Sequence, residues 1–181
     1  LCGNHDAEIS EHEWFDLEGG AVFLTHGDVL FPLISAWNPK IWQVEPKIWS
    51  IRREIGESAI QENLDVALLA TSKIRLLTSG DEAKFKSKRF KAIRAVAKLI
   101  WPPRRPWEVL KCWMQTPSLA ADFVKRHRPE TKVFVFGHTH RPFVKIRDGQ
   151  ILINTGGFLA PGKAQFAEIS GDEVSVHEIK K

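Results

Sequence analysis

Four short stretches of this chain carry side chains suited to chemistry on a metal ion or a phosphate. They are Gly3-Asn4-His5-Asp6, Thr25-His26-Gly27-Asp28, Arg104-Arg105 and Gly137-His138-Thr139-His140. An amide carbonyl and several imidazoles suit a borderline divalent ion such as Mn²⁺, Fe²⁺ or Zn²⁺. Asn4, His26, His138 and His140 are the candidate ligands, and each follows a run that reads as a β-strand or the end of one. Ligands on strand ends would converge on one loop edge of a sheet. His138 and His140 alternate about Thr139, so an extended backbone would turn both to the same side. Read singly, each stretch is weak. A lone histidine at a strand end is more often an ordinary hydrogen-bonded residue, and a Gly-Asn pair more often forms a turn. Arg104 and Arg105 stand between Trp101 and Trp107 and offer planar donor forks to phosphate oxygens.

The elements that would position these residues fall into two textures. Ala7 to Phe15 reads as a short helix ended by Gly19-Gly20. Ala21 to Thr25 and Lys132 to Phe136 are apolar runs of strand length that lead into His26 and Gly137. Phe143 to Arg147 and Ile151 to Ile153 form a hairpin about Asp148-Gly149, a strong turn signal. Ala164 to Ile169 and Val174 to Ile179 form another about Ser170-Gly171-Asp172. Between the two flanks the pattern turns helical. Pro46 marks a helix start, and Ile48, Ile51, Ile55 and Ala59, then Ile60, Leu64, Ala67 and Thr71, recur at helical spacing. Lys84 to Ile100 is an amphipathic helix, with Phe90, Ile93, Val96, Ala97 and Ile100 on one face. Lys84, Lys88, Lys91, Arg94 and Lys98 share the opposite face, and Trp101-Pro102-Pro103 ends the helix. Pro106 and Pro117 suit the first turns of two further short helices. The expected organisation is an α/β core from residues 1–28 and 129–181, with a helical, basic, Trp-rich insertion over 29–128.

At 181 residues, 43% of them apolar and 27% charged, the chain is of ordinary globular composition. No stretch approaches the roughly 18 consecutive apolar residues of a membrane span. Cys2 and Cys112 have no metal-site spacing and make no disulfide framework, which favours a reducing, cytoplasmic setting. The net charge of +4 is unevenly spread: Lys73 to Lys111 holds twelve basic residues against three acidic ones. A field of that kind suits an anionic partner.

The order Gly-Asn-His-Asp, strand-His-Gly-Asp, strand-Gly-His-Thr-His resembles the calcineurin-like metallophosphoesterase superfamily. The likeness covers both flanks and leaves out the insertion. It implies a metallophosphoesterase-type β-sandwich flanked by helices, and a hydrolase of phosphoesters or diphosphates. Two divalent ions, Mn²⁺ foremost with Fe or Zn as alternatives, would clamp the phosphate and activate the attacking water. Carried onto this sequence, the resemblance gives Asn4, His26 and His138 to one ion and His140 to the other. His5 would act on the leaving-group oxygen, with Asp6 orienting its imidazole. Family members also carry Asp-x-His and Gly-Asp-x-x-Asp motifs ahead of Gly-Asn-His, and this sequence has neither. The expectation is an N-terminally truncated chain, the later part of a longer enzyme and inactive alone.

The layout is similar to the bacterial UDP-2,3-diacylglucosamine hydrolases, which follow a His-Gly-Asp motif with a long basic insertion. Gly137 to Pro142 and Asn154-Thr155-Gly156-Gly157 fit that branch, while His5 stands where it typically has arginine. This likeness implies a phosphorylated small molecule or a lipid-linked nucleotide as substrate, and peripheral contact with an anionic inner membrane. Six of the seven tryptophans (Trp37, Trp42, Trp49, Trp101, Trp107, Trp113) lie in or beside the insertion, as an interface between apolar and wet surfaces would favour. They serve core packing equally well, and the lysines a solvated helix face. Basic residues interleaved with aromatics also suit single-stranded nucleic acid, so a nuclease is one alternative. A non-catalytic scaffold that keeps the sheet without a bimetal site is another.

Overall fold

The structure, a computed structural model, describes residues 1, 10, 12–33, 41–78, 104–157, 163–171 and 173–179, with the side chains of Thr78, Arg104 and Arg105 left out. The fold is mixed α/β. Five strands form one sheet: β1 (Trp14–Leu17), β2 (Val22–Thr25), β3 (Val133–Phe136), β4 (Phe143–Arg147) and β5 (Gln150–Asn154). Their spatial order is β1-β2-β3-β5-β4. The central strands β2, β3 and β5 run parallel, and the edge strands β1 and β4 are antiparallel to their neighbours. A hairpin of β6 (Gln165–Ser170) and β7 (Glu173–Glu178) makes a second, two-stranded sheet.

Period-two alternation explains the layering. Phe23, Phe134, Phe136 and Leu152 point to one face and join a core with Leu64, Leu68, Ala120, Ala121 and Val124 of the helices. Val22, Val133, Val135 and Ile153 point to the other, against Ala167, Ile169, Val174 and Val176 of the β6–β7 hairpin. Both faces of the central strands are thus buried, which is why those strands are continuously apolar. The ring of Phe134 stacks on those of Phe23 and Phe136 at 5.5 and 4.8 Å.

The helical layer comes from residues between β2 and β3. It comprises α1 (Ile41–Ile55), α2 (Glu57–Glu62), α3 (Leu64–Thr78) and α4 (Arg104–His127). The apolar spacing of the first segment is realised as three helices. The chain turns at Gly56 and again at Asn63, whose side chain caps α3 by accepting from the amides of Asp65 and Val66 at 2.9 and 3.2 Å. Among the described residues no helix is long and apolar enough to cross a membrane.

Three expectations are corrected. The helix over Ala7 to Phe15 is not formed at its end, where Trp14 and Phe15 open β1 and pair with Thr25 and Leu24. Trp14 is held there by the Arg128 guanidinium, 5.0 Å from its ring centroid. Arg128 Nε also lies 3.3 Å from Asp16 Oδ2, an ionic contact that does not meet hydrogen-bond geometry. Pro46 lies inside α1 rather than at its start. Pro106 and Pro117 share the single 24-residue α4. Pro106 occupies its first turn, where no amide donor is needed, while Pro117 leaves the Trp113 carbonyl without its helical donor. Burial of Val109, Thr116, Ala120, Ala121 and Val124 along α4 outweighs that loss. The basic helix expected over Lys84 to Ile100 lies outside the described residues.

Candidate metal centre

Because β2, β3 and β5 are parallel neighbours, the loops that follow them lie on one edge of the sheet. Those loops are His26-Gly27-Asp28, Gly137 to His140, and Thr155 to Gly157. The first two are joined by backbone, with Gly137 N–H donating to His26 O at 3.0 Å. Their side chains meet as well. His138 Nδ1 stands 3.3 Å from His26 Nε2, with the rings edge to face at 5.2 Å between centroids. The Phe31 ring closes on His138 at 5.6 Å.

A 3.3 Å separation of facing ring nitrogens has two chemical readings. One nitrogen can donate to the other, or both can present lone pairs to one ion. Two imidazoles at 2.0–2.1 Å from a tetrahedral zinc stand about 3.4 Å apart by simple geometry. The pair therefore fits two adjacent positions on one divalent ion. Among the described residues no group of three His, Cys, Asp or Glu side chains converges as a metal cage. Asn4, His5 and Asp6 lie outside the described residues, and so do the side chains of Arg104 and Arg105.

His140 is reached by a different backbone from the one the alternation suggests. His138 and His140 do not sit in an extended strand, for both have left-handed φ, 68° and 56°. Thr139 between them is buried, and the loop is held from inside. Asn154, fully buried at the end of β5, donates through Nδ2 to Gly137 O and to Thr139 Oγ1, each at 2.9 Å. Its Oδ1 accepts from the Gly156 amide at 2.9 Å. A Trp113 N–H bond to Thr139 O at 3.0 Å ties the same loop to α4. The His140 ring lies against Gly157, where any Cβ would collide with the imidazole.

The first loop is held as firmly. Gly27 has φ +102°, and a Cβ there would come within 3.1 Å of the Phe136 ring, so only glycine fits. Asp28 is buried and bound by Arg75 of α3, Nε to Oδ2 at 2.9 Å and Nη2 to Oδ1 at 3.3 Å. Arg75 also reaches both oxygens of Glu13 at 3.0 Å. Burial acts against the Arg75 charge, but hydrogen bonds to Glu13 and the charge of Asp28 outweigh it and raise its pKa further above the usual arginine value.

Beside the Gly137–His140 loop, α4 and β4 enclose a cleft of about 350 Å³. Trp113, Met114 and Phe143 give it apolar walls, and Arg141 and Lys145 give it positive charge. The Arg141 guanidinium lies 5.5 Å from the Trp113 ring centroid. Sequence reasoning named Asn154 and Arg141 only within motif stretches and did not single out Arg75, Glu13 or Lys145 as site residues. Asn154 carried a legible signal as the first residue of a polar stretch that ends an apolar strand, and Arg75 one as a charged residue in line with Leu64, Leu68 and Thr71.

No protein-family model matches the chain, and no curated protein matches it.

Proposed function

We propose that this chain carries the metal-binding edge of a calcineurin-like metallophosphoesterase and that the reaction is hydrolysis of a phosphoester or diphosphate. The observation that supports this most is the 3.3 Å approach of His26 Nε2 and His138 Nδ1 at the ends of two parallel strands. Their order in the chain, after Gly-Asn-His-Asp and before Thr139-His140, is the family's order. His26 and His138, with Asn4, would hold one divalent ion, and His140 would contribute to a second. Such ions supply Lewis-acid polarisation of a phosphoryl oxygen and activation of water.

The chain's own residues do the remaining work. Asn154 and Trp113 fix the loop that presents His138 and His140. Arg141 and Lys145 offer positive charge to a substrate anion in the adjoining cleft, and Trp113 and Met114 offer it an apolar wall. His5, with Asp6 orienting it, would hold the proton needed by the leaving oxygen. Trp107 is 60% exposed and Trp42 and Trp49 are more than one-third exposed, which suits an amphiphilic substrate such as a lipid-linked nucleotide. A cytoplasmic, membrane-peripheral enzyme follows from that reading.

The competing reading is a scaffold that keeps the sheet with no catalysis and needs no Asp-x-His or Gly-Asp-x-x-Asp motif. Metal titration with Zn²⁺ and Mn²⁺, beside hydrolysis of an aryl phosphodiester, separates the two. With a segment supplying those motifs added, two ions bind and hydrolysis appears, and His26→Ala or His138→Ala lowers both. Metal binding indifferent to both variants overturns the enzyme reading.

A further inference from the structure

The Glu13–Arg75–Asp28 cluster joins three segments remote in sequence. Glu13 precedes β1, Asp28 follows His26 by two residues, and Arg75 lies in the last turn of α3. Arg75 and Asp28 are 2% and 1% exposed. Burying one guanidinium between two carboxylates is a poor way to gain stability, since an apolar trio of similar volume usually does as well. The cluster offers direction instead, because a guanidinium fork fixes the angle of each carboxylate it meets.

That direction passes to the facing histidines by short routes. Asp28 begins a turn in which Leu30 N–H donates to Gly27 O at 3.3 Å and Phe31 N–H to Asp28 O at 3.0 Å. One side of this turn carries His26, two residues back. The other carries Phe31, whose ring packs on His138. Glu13 adds a third tie, its backbone oxygen accepting from Thr25 Oγ1 at 3.3 Å, one residue before His26.

We infer that Arg75 is a positioning residue for the His26–His138 pair, so that the helices between β2 and β3 set the geometry of the metal centre through one guanidinium. This rests on the proposal that His26 and His138 hold a metal ion. Arg75 then touches neither ion nor substrate and acts through Asp28 and, more weakly, through Glu13.

The test is Zn²⁺ affinity of the whole chain by isothermal titration, with long-range ¹H–¹⁵N spectra of the imidazoles as a second readout. Arg75→Lys keeps the charge and loses the fork. It should weaken Zn²⁺ binding about 10–100-fold, the usual loss when a group that orients a ligand is removed, and shift the His26 and His138 ring signals. Glu13→Gln keeps an acceptor for the Arg75 fork and should weaken it less. If Arg75→Lys fails to fold, the triple variant Arg75→Met/Asp28→Leu/Glu13→Leu replaces the cluster by apolar packing. A stable triple variant with weakened binding supports positioning over stability. A folded variant of either kind with wild-type affinity and unmoved ring signals overturns the inference and leaves the metal site standing. If His26→Ala and His138→Ala leave wild-type affinity unchanged, the metal site fails, and the role of Arg75 with it.

Discussion

Replacing Asn154 by alanine removes three hydrogen bonds at once from the loop that carries His138 and His140. The amide donates to Gly137 O and Thr139 Oγ1 and accepts from the Gly156 amide, each at 2.9 Å, with no exposure to solvent. Three neutral hydrogen bonds contribute about 1 kcal/mol each. The Gly137 carbonyl keeps a second partner in the Thr139 amide at 2.8 Å, whereas the Gly156 amide loses the Asn154 oxygen, which adds roughly 1 kcal/mol or more. The expected loss is about 3–5 kcal/mol, read by urea unfolding, with a fall in Tm of roughly 10 °C for a chain of this size. Stability alone does not test the site, so Phe134→Ala serves as the control. Phe134 is equally buried, and its removal costs a similar ~3–5 kcal/mol by cavity formation. Its ring contacts lie in the aromatic layer between sheet and helices, with Phe23, Phe123 and Phe136, and it makes none of the hydrogen bonds that hold the loop. Asn154→Ala should weaken Zn²⁺ binding about tenfold beyond Phe134→Ala. Equal affinities in the two variants, or a stability loss under about 1 kcal/mol, would refute the view that Asn154 holds the loop.

Gly157→Ala should displace the His140 ring with little loss of stability, because the new Cβ meets a side chain that can rotate rather than backbone; an unmoved His140 imidazole signal would contradict the packing. His127 has its pKa lowered by burial first and then by the charges of Arg126 and Arg128, so it protonates less readily in the fold than in the unfolded chain. Stability should therefore fall as pH drops from about 6.5 toward the lowered folded value, and His127→Gln should flatten that slope in urea titrations at successive pH values. An identical slope in the variant would remove His127 from the explanation.

Much of the sheet was legible because its signals are local. The runs at β2 and β3 are apolar and of strand length, and Asp148-Gly149 adopts the two left-handed residues that a tight hairpin demands, φ 50° and 81°. Strand β1 was not legible, since four residues, three of them apolar, give no period, and their pairing depends on β2 and on Arg128. The prolines misled for a related reason. Local preference ends a helix near Pro117, but the buried stripe of α4 runs through it to Val124. The elements make a mixed α/β fold, and the motif order motivates the proposal of a metallophosphoesterase architecture.

The site divides along the same line. His26 and His138 could be paired on paper because two parallel neighbouring strands must end on one edge, whatever lies between them in the chain. What holds them is harder to read, since Arg75 meets Asp28 and Glu13 across 47 and 62 residues. In the sequence Arg75 was one of twelve basic residues in a segment whose charge invited an anionic partner. Charge counting cannot separate a buried cation from a solvated one, but helical spacing can. Leu64, Leu68, Thr71 and Arg75 recur at intervals of four, three and four, and all four are buried. An arginine on the core stripe of a helix must find carboxylates inside the protein, and the acidic residue of a His-Gly-Asp turn, at the end of a buried strand, is a partner that chemistry would nominate. Arg75 is therefore a buried cation bound to the His-Gly-Asp turn, and the basic character of this segment is smaller as a surface property than its sequence makes it look.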